Sequence, residues 1–255
     1  MDLNNLSFQE LPSRELDIDV DWEEFRKQCV IYYNRWCNIS NDVYLKTTDL
    51  SLPIEKQIVR VGTDAFFSKQ YDPFYNFEFA KGKYANSTKI VSEQEYKFYT
   101  SDLQENHPYV IEVIEKLEKF ANLSFSRIRL AGKKRETAGS IHTDFGYARH
   151  HIPIVTNPSV LFQISDKLYR MSKYNHLYAL PCGQPHSIIN GSTRLRLHLL
   201  LIDGNQEQNV TTIEQARSEI ENVTKVFEDA YSNLDIAEKL LNEPYYNNLL
   251  ELAKK

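Results

Sequence analysis

The sequence predicts a mostly β protein with flanking helices. From about Phe125 to Asp203, apolar and polar residues alternate with a period of two, as they do along a half-buried strand. Turn residues interrupt this alternation at short intervals, which is typical of a small β-sandwich or an open barrel. On either side of this region, apolar residues recur every three or four positions, as on one face of a helix.

Length and composition are compatible with one compact unit in three parts. The chain has 255 residues, of which 42% are hydrophobic and 25% charged, as in ordinary globular proteins. We assign residues 1–122 to helices and outer strands packed on the core, residues 123–204 to the β core, and residues 205–255 to a C-terminal helical segment. We expect the C-terminal helices to brace the core and to offer a surface for homodimer formation.

The N-terminal part contains two predicted helices. The first begins at Trp22, with Asp19 or Asp21 as its N-cap. The second begins at Pro108, because proline is favoured at the first position of a helix. Each helix has an apolar stripe at helical spacing, so we expect each to pack one face against the core.

The rest of the N-terminal part is predicted to be irregular or to form short strands. Residues 1–20 are polar and are expected to be irregular, whereas residues 43–45 and 58–61 are expected to be strands. Aromatic side chains crowd between them: Phe66, Phe67, Tyr71, Phe74, Tyr75, Phe77 and Phe79. We interpret this cluster as packing between strands, with a flap near the functional site as the alternative.

The β core begins with a strand whose two faces differ in polarity. Ile128 and Leu130 lie on one face, and Arg127 and Arg129 lie on the other. Turn signals then separate the predicted strands: Gly139, Asn157-Pro158, Ser165-Asp166-Lys167, Pro181-Cys182-Gly183 and Asn190-Gly191. In the last strand Leu195, Leu197, Leu199 and Leu201 share one face. We therefore expect a barrel with a polar inside and an apolar outside.

Charge and cysteine content argue against several classes of protein. The net charge of −5 disfavours a nucleic-acid partner, because binding to phosphates needs a basic surface. No apolar run reaches membrane-spanning length, and the first residues lack the basic and apolar segments of a secretory signal. The three cysteines lack the spacing of a zinc site and are an odd number for a disulfide framework. We expect a cytoplasmic protein without nucleic-acid or membrane partners.

The strongest functional signal is a set of metal ligands. His142 and Asp144 are two residues apart, so both point to the same face if they lie in a strand. His186 follows Asp144 after 41 intervening residues. Two imidazoles and one carboxylate, with open coordination positions, are the diagnostic ligand set of non-haem Fe(II) oxygenases. The spacing therefore predicts an iron site at His142, Asp144 and His186.

An arginine completes the pattern. Arg196 comes ten residues after His186 on an alternating strand and shares a face with His198. The distal carboxylate of 2-oxoglutarate needs a cation, and a guanidinium can hold it through two hydrogen bonds. Arg194 has the same parity and is the alternative. Further along the barrel, Arg149 and His151 also share a face.

Residues from about 125 to 203 resemble the aspartyl/asparaginyl β-hydroxylase family of Fe(II)/2-oxoglutarate-dependent oxygenases, which is related to the bacterial proline cis-hydroxylases. The matching residues are His142-Thr143-Asp144, Arg149-x-His151-Ile152-Pro153-Ile154-Val155-Thr156-Asn157-Pro158, His186, Asn190-Gly191 and Arg196-Leu197-His198-Leu199. The resemblance implies a double-stranded β-helix, a jelly-roll or cupin-like core. It also implies Fe(II), 2-oxoglutarate and O2 as the reacting partners of the substrate.

By this resemblance, His142, Asp144 and His186 bind iron and Arg196 binds the distal carboxylate of 2-oxoglutarate. Arg149 and His151 correspond to positions near the other end of the co-substrate. For His151 and His198, contact with the co-substrate and a role as hydrogen-bonded core histidines remain alternatives. Arg127 and Arg129 are candidates for binding a carboxylate of the substrate. We expect His150 to be structural and His107 and His176 to lie on the surface.

The expected activity is hydroxylation of an unactivated C–H bond of an amino acid or an amino-acid side chain. It is coupled to oxidative decarboxylation of 2-oxoglutarate to succinate, with a small molecule favoured as the substrate. The alternative is a cupin-like module that binds a metal or a small acid without turnover. Halogenation on the same scaffold is disfavoured, because it needs the coordination position that Asp144 would occupy.

Overall fold

Two β-sheets form the body of the protein, with helices against one of them. The computed structural model describes residues 8–59, 68–70, 95–139, 142–144, 149–164, 167–180 and 186–204, and describes the backbone alone for 68–70 and 142–144. All of these residues belong to one unit of the chain, residues 1–211. The aromatic cluster at 66–79 and the predicted C-terminal helices, with their dimer surface, lie outside the described residues.

The described helices and strands are numbered in chain order. The helices are α1 (Trp22–Trp36), α2 (Ile54–Gln57), α3 (Ser101–Asn106) and α4 (Pro108–Ala121). The first strands are β1 (Gln9–Glu10), β2 (Ser13–Glu15), β3 (Asp42–Tyr44), β4 (Lys46–Thr47), β5 (Ser68–Gln70) and β6 (Phe98–Tyr99). The core strands are β7 (Phe125–Lys133), β8 (Thr137–Ala138), β9 (His142–Asp144), β10 (Arg149–Val155), β11 (Val160–Ile164), β12 (Lys167–Arg170), β13 (His176–Leu180), β14 (His186–Asn190) and β15 (Arg196–Asp203).

The strand order is that of a jelly roll. One sheet, the seven-stranded sheet, has the order β1-β12-β11-β14-β9-β5, and β8 pairs with β14. The other, the six-stranded sheet, has the order β2-β13-β10-β15-β7-β3. Strands β7, β9, β10 and β11 alternate between the sheets, β11 and β12 form a hairpin, and the chain alternates again through β15. This double-sheet path confirms the predicted jelly-roll or cupin-like core.

Helices α1 and α4 cover the outer face of the six-stranded sheet. Leu197, Leu199 and Leu201 of β15 are fully buried there, together with Ile128 and Leu130 of β7. The helices contribute Phe25, Cys29, Tyr32, Val110, Val113, Ile114 and Leu117 to the same cluster. The period-two pattern of the sheet and the helical pattern of its cover therefore bury one continuous apolar layer, as predicted.

The ends of both long helices have clear local causes. The carboxylate of Asp21 accepts hydrogen bonds from the backbone N–H groups of Glu23 and Glu24, both at 3.0 Å, so Asp21 rather than Asp19 caps α1. Asn122 ends α4 in the left-handed conformation, with φ 54°. Its backbone N–H then bonds to carbonyl groups of the last turn. Among the described helices, none is long and apolar enough to cross a membrane.

Three predictions for the N-terminal part are wrong. Residues 1–20 are not wholly irregular: β1 pairs in parallel with β12, and β2 pairs antiparallel with β13. Ile58 and Val59 do not form a strand, because they follow the short helix α2. His107 is buried, only 6% exposed, with its ring edge-on to Tyr32 at 5.5 Å between centroids. The first and third errors reflect partners that are distant in the chain.

Position 132 in β7 requires a glycine, because α1 approaches the strand closely there. A Cβ at this position would lie 1.8 Å from the hydroxyl oxygen of Tyr33 and 2.5 Å from the adjoining ring carbon. Tyr33 is only 3% exposed, so its ring has little room to move away.

We expect Gly132→Ala to lower the free energy of unfolding by about 1–3 kcal/mol, since overpacking forces strained side chains or backbone shifts. Chemical denaturation would measure the change. Gly191→Ala is the matched control, because its nearest atom would be at 3.4 Å, an ordinary contact. Equal effects of the two substitutions would contradict this account of Gly132.

Candidate active site

The inner face of the six-stranded sheet carries a group of buried cations and imidazoles. Strands β7, β10 and β15 alternate, so the residues between those of the outer apolar layer face inward. The charged and imidazole residues of this set are Arg127, Arg129, Lys133, Arg149, His151, Arg196 and His198. A buried surface of this kind is costly unless anions or hydrogen-bond acceptors complete it.

Phe162 of β11 brings the seven-stranded sheet onto this inner face. Its ring lies 5.6 Å from the ring of His151 and 5.9 Å from that of His198, measured between centroids. The guanidinium carbon of Arg196 lies 5.2 Å from the same ring centroid, within the range of a cation–π contact. Three residues predicted to contact the co-substrate therefore meet around one buried aromatic side chain.

Arg196 is a buried cation with unused donor groups. It is 3% exposed, and its Nη1 donates a hydrogen bond to the carbonyl oxygen of Ala131 at 3.2 Å. Its Nε and Nη2 have no hydrogen-bond partner within the described part of the chain. Burial lowers the pKa of Arg196 to about 9, a shift that Asp42 opposes and Arg129 increases. The group is therefore still charged at neutral pH, and the described residues leave two of its nitrogen atoms unbonded.

The alternative arginine has a different environment. Arg194 lies before β15 and is exposed to solvent, whereas Arg196 lies at its first residue and is buried. A buried guanidinium interacts more strongly with an anion than an exposed one, because water screens it less. Burial thus distinguishes two residues that have the same parity in the sequence.

His151 and His198 are neutral imidazoles beside Arg196. Burial lowers the pKa of both well below its usual value, and the charge of Arg196 lowers both further. Within the described part, neither ring nitrogen of His198 has a partner, nor has Nδ1 of His151. A neutral imidazole offers one donor and one acceptor, so both residues can bond to a ligand without adding charge.

Three further arginines are buried on the same face. Arg149 contributes to the low pKa of His151, as Arg129 does. Arg129 also has protein partners, since its Nη1 donates to the hydroxyl of Tyr44 at 3.3 Å and lies 3.6 Å from a carboxylate oxygen of Asp42. Arg127 is only 1% exposed. A role of Arg127 and Arg129 in binding substrate stays a prediction.

The predicted metal ligands lie on two neighbouring strands. His186 begins β14, is buried, and has His142 of β9 as its direct cross-strand partner. On the other side of β9, His142 pairs with Gln70 and Asp144 pairs with Ser68. The side chains of His142 and Asp144 lie outside the described residues. Among the side chains that are described, no group of three His, Cys, Asp or Glu residues could hold a metal.

His186 is also linked to the cationic face. Its charge is among the causes that lower the pKa of His151, after burial and three arginines. The strand that carries this predicted iron ligand also pairs with β11, which carries Phe162.

The three remaining histidines have structural surroundings. The ring of His150 lies 5.9 Å from that of Phe125, and Nδ1 of His176 is 3.0 Å from the hydroxyl of Ser13. His176 is half-buried, not a fully exposed surface residue. His107 packs on Tyr32, as described above.

Sequence reasoning missed two residues of the pocket. These two residues are Phe162 and Lys133, neither of which stands in a motif that points to a functional role. Their alternation contained the missing signal, because Lys133 has the parity of Arg127 and Arg129. The contact between Phe162 and Arg196 could not be read locally, since it joins two sheets.

No protein-family model and no curated protein matches the sequence. Solved structures that resemble the chain include IDO from Bacillus thuringiensis, with 10% identity and a TM-score of 0.39 over 78% of this chain and 95% of that one. An oxidoreductase of the 2OG-Fe(II) oxygenase family from Burkholderia pseudomallei has 8% identity and a TM-score of 0.33, over 81% and 100%. A cupin 2 conserved barrel domain protein from Salinispora arenicola has 7% identity and a TM-score of 0.25, over 38% and 70%. At these identities and TM-scores, none of them assigns an activity to this chain.

Proposed function

We propose that the protein is an Fe(II)/2-oxoglutarate-dependent dioxygenase that hydroxylates an unactivated C–H bond of an amino acid or an amino-acid side chain. The observation that carries this proposal is the buried guanidinium of Arg196, whose Nε and Nη2 have no partner among the described residues. Such a group is costly to bury unless an anion or hydrogen-bond acceptors complete it, and a carboxylate is both. A dicarboxylate co-substrate supplies it.

The predicted iron ligands fit this chemistry. His142, Asp144 and His186 would hold Fe(II), since two imidazoles and one carboxylate are its preferred facial set in oxygenases. The direct backbone pairing of His142 with His186 supports a shared site. When bound, Fe(II), 2-oxoglutarate and O2 supply the oxidative decarboxylation to succinate and carbon dioxide, together with the hydroxylation of the substrate.

The residues around Arg196 would position the co-substrate. Arg196 would hold its distal carboxylate through two parallel hydrogen bonds, a geometry that a guanidinium favours. His198 and His151, both neutral, would donate or accept single hydrogen bonds, and Arg149 would lie toward the other end of the co-substrate. The ring of Phe162 would keep water away from the Arg196 ion pair, which strengthens it.

The proposed substrate class rests on the two further arginines of β7. We propose a small-molecule substrate, an amino acid or a derivative, whose carboxylate would be held by Arg127 or Arg129. The net charge of −5 gives no support to a nucleic-acid partner. A homodimer through the C-terminal helices stays a prediction.

The direct test is succinate formation from 2-oxoglutarate with Fe(II) in air, screened over the common amino acids. Substrate-stimulated succinate release would support the proposal. Tight binding of 2-oxoglutarate without decarboxylation for any candidate substrate would favour the alternative, a cupin-like module that binds a metal or a small acid.

We expect His142→Ala, Asp144→Ala and His186→Ala each to lower Fe(II)-dependent turnover by more than about 100-fold, since loss of groups that only support metal ligands already costs 10–100-fold. Fe(II) binding should weaken in parallel and can be measured by calorimetry under argon. His176→Gln is the control, because this histidine bonds to Ser13 away from the pocket. Full turnover by any of the three alanine variants would refute the ligand assignment.

We expect Arg196→Met to weaken binding of 2-oxoglutarate by about 100-fold or more, since each hydrogen bond to a charged group contributes roughly 1.5–3 kcal/mol. The thermal stability of the ligand-free protein should not fall, because the substitution removes a buried charge. Arg194→Met, an exposed arginine two residues earlier, should leave the affinity unchanged. If Arg194→Met weakened binding instead, Arg194 would be the co-substrate residue.

A further inference from the structure

Lys133 has no role in the proposed function, and it lies beside Arg196 on the neighbouring strand. In the register of β7 and β15, Lys133 is the direct partner of Arg196. Side chains at such positions share a face, and like charges placed directly opposite destabilise a sheet. The repulsion calls for an explanation, because both residues are at least partly buried.

The lysine side chain crosses toward the seven-stranded sheet. Its Nζ lies 3.5 Å from the position that a Cβ on Gly139 would take, and Ile188 of β14 borders the same position. Ile188 is the cross-strand partner of Phe162, the residue whose ring lies against Arg196. The ammonium group of Lys133 and the guanidinium of Arg196 therefore lie at the same end of the barrel, each near one member of the cross-strand pair Phe162 and Ile188.

The nearest described acid does not neutralise both cations. Asp42 raises the pKa of Lys133 and of Arg196, while burial and the charge of Arg196 lower that of Lys133. The carboxylate of Asp42 lies 3.6 Å from Arg129, however, so one acidic group faces three cations. A further negative charge at this end of the barrel would relieve the repulsion between Lys133 and Arg196.

We propose that Lys133 is a second cation for the distal carboxylate of the co-substrate, beside Arg196. This inference rests on the proposed function. Arg196 binds the carboxylate from β15, and Lys133 binds it from the side of Gly139. Lys133 is a binding residue for the co-substrate and does not touch the reacting carbon atoms.

The test compares two ligands on Fe(II)-loaded protein under argon by calorimetry. One ligand is 2-oxoglutarate, and the other is 2-oxopentanoate, which has the same carbon chain without the distal carboxylate. Lys133→Met should weaken 2-oxoglutarate by about 10-fold, the effect of losing one charge-assisted hydrogen bond. Binding of 2-oxopentanoate should not change. Lys133→Arg should keep most of the affinity, and Lys134→Met, an exposed lysine next in the chain, should have no effect.

The outcomes separate this inference from the proposed function. If the wild-type protein does not bind 2-oxoglutarate, the proposed function fails. If the wild type binds it and Lys133→Met binds it equally well, only the role of Lys133 is overturned. Equal weakening of both ligands would also overturn it, because the distal carboxylate would not be involved.

Thermal unfolding of the ligand-free variants gives a second measurement. Lys133→Met should unfold at the same temperature as the wild type or above it, since it removes a like-charge contact. A purely structural lysine would instead lower that temperature. If Lys133→Met does not fold, the binding of 2-oxoglutarate and of 2-oxopentanoate is measured on Lys133→Gln instead.

Discussion

The structure depends on the opposite polarity of the two faces of β15. Leu197, Leu199 and Leu201 face the helices, whereas Arg196 and His198 face the barrel. A strand buried on both faces is normally apolar throughout, as in a parallel sheet between helices. Here the apolar face supplies the stability that allows the other face to bury charge. A slip of one residue in the register would expose the leucines to the polar pocket.

The helices are the second requirement of this arrangement. Tyr33 of α1 approaches β7 so closely that Gly132 has no space for a side chain, and α4 completes the cover. Interiors of this density transmit small displacements. The backbone of β7 therefore holds Lys133, and with it one side of the pocket, in a defined position.

The charge states of the residues around Arg196 follow from their surroundings in the protein, whichever ligand binds there. His151 and His198 are neutral, because burial and then the charge of Arg196 favour the unprotonated imidazole. Phe162 fills the space between the sheets without competing for hydrogen bonds. The outcome is a set of polar groups from β10 and β15 around one aromatic ring, a composition that suits the binding of a small acid.

The sequence alone was sufficient for the fold class, for both long helices, and for which residues share a face of β7 and of β15. These features arise from short-range periodicities: 3.6 residues per turn in α1 and α4, and two along β7 and β15. The resemblance of residues 125–203 to a family of oxygenases also rests on short motifs. The roles it implies for His142, Asp144, His186 and Arg196 are still predictions.

Only the tertiary structure decided that Arg196 is buried and Arg194 exposed, and that Phe162 packs against Arg196. It also decided that β1 and β2 join the two sheets. Arg194 and Arg196 have the same parity, and their difference comes from where β15 begins against β7. The contact of Phe162 with Arg196, the burial of His107 and the pairing of β1 with β12 all join distant parts of the chain. Local propensity contains no information about such partners, because the stabilising free energy of these contacts arises only when the sheets and helices pack together.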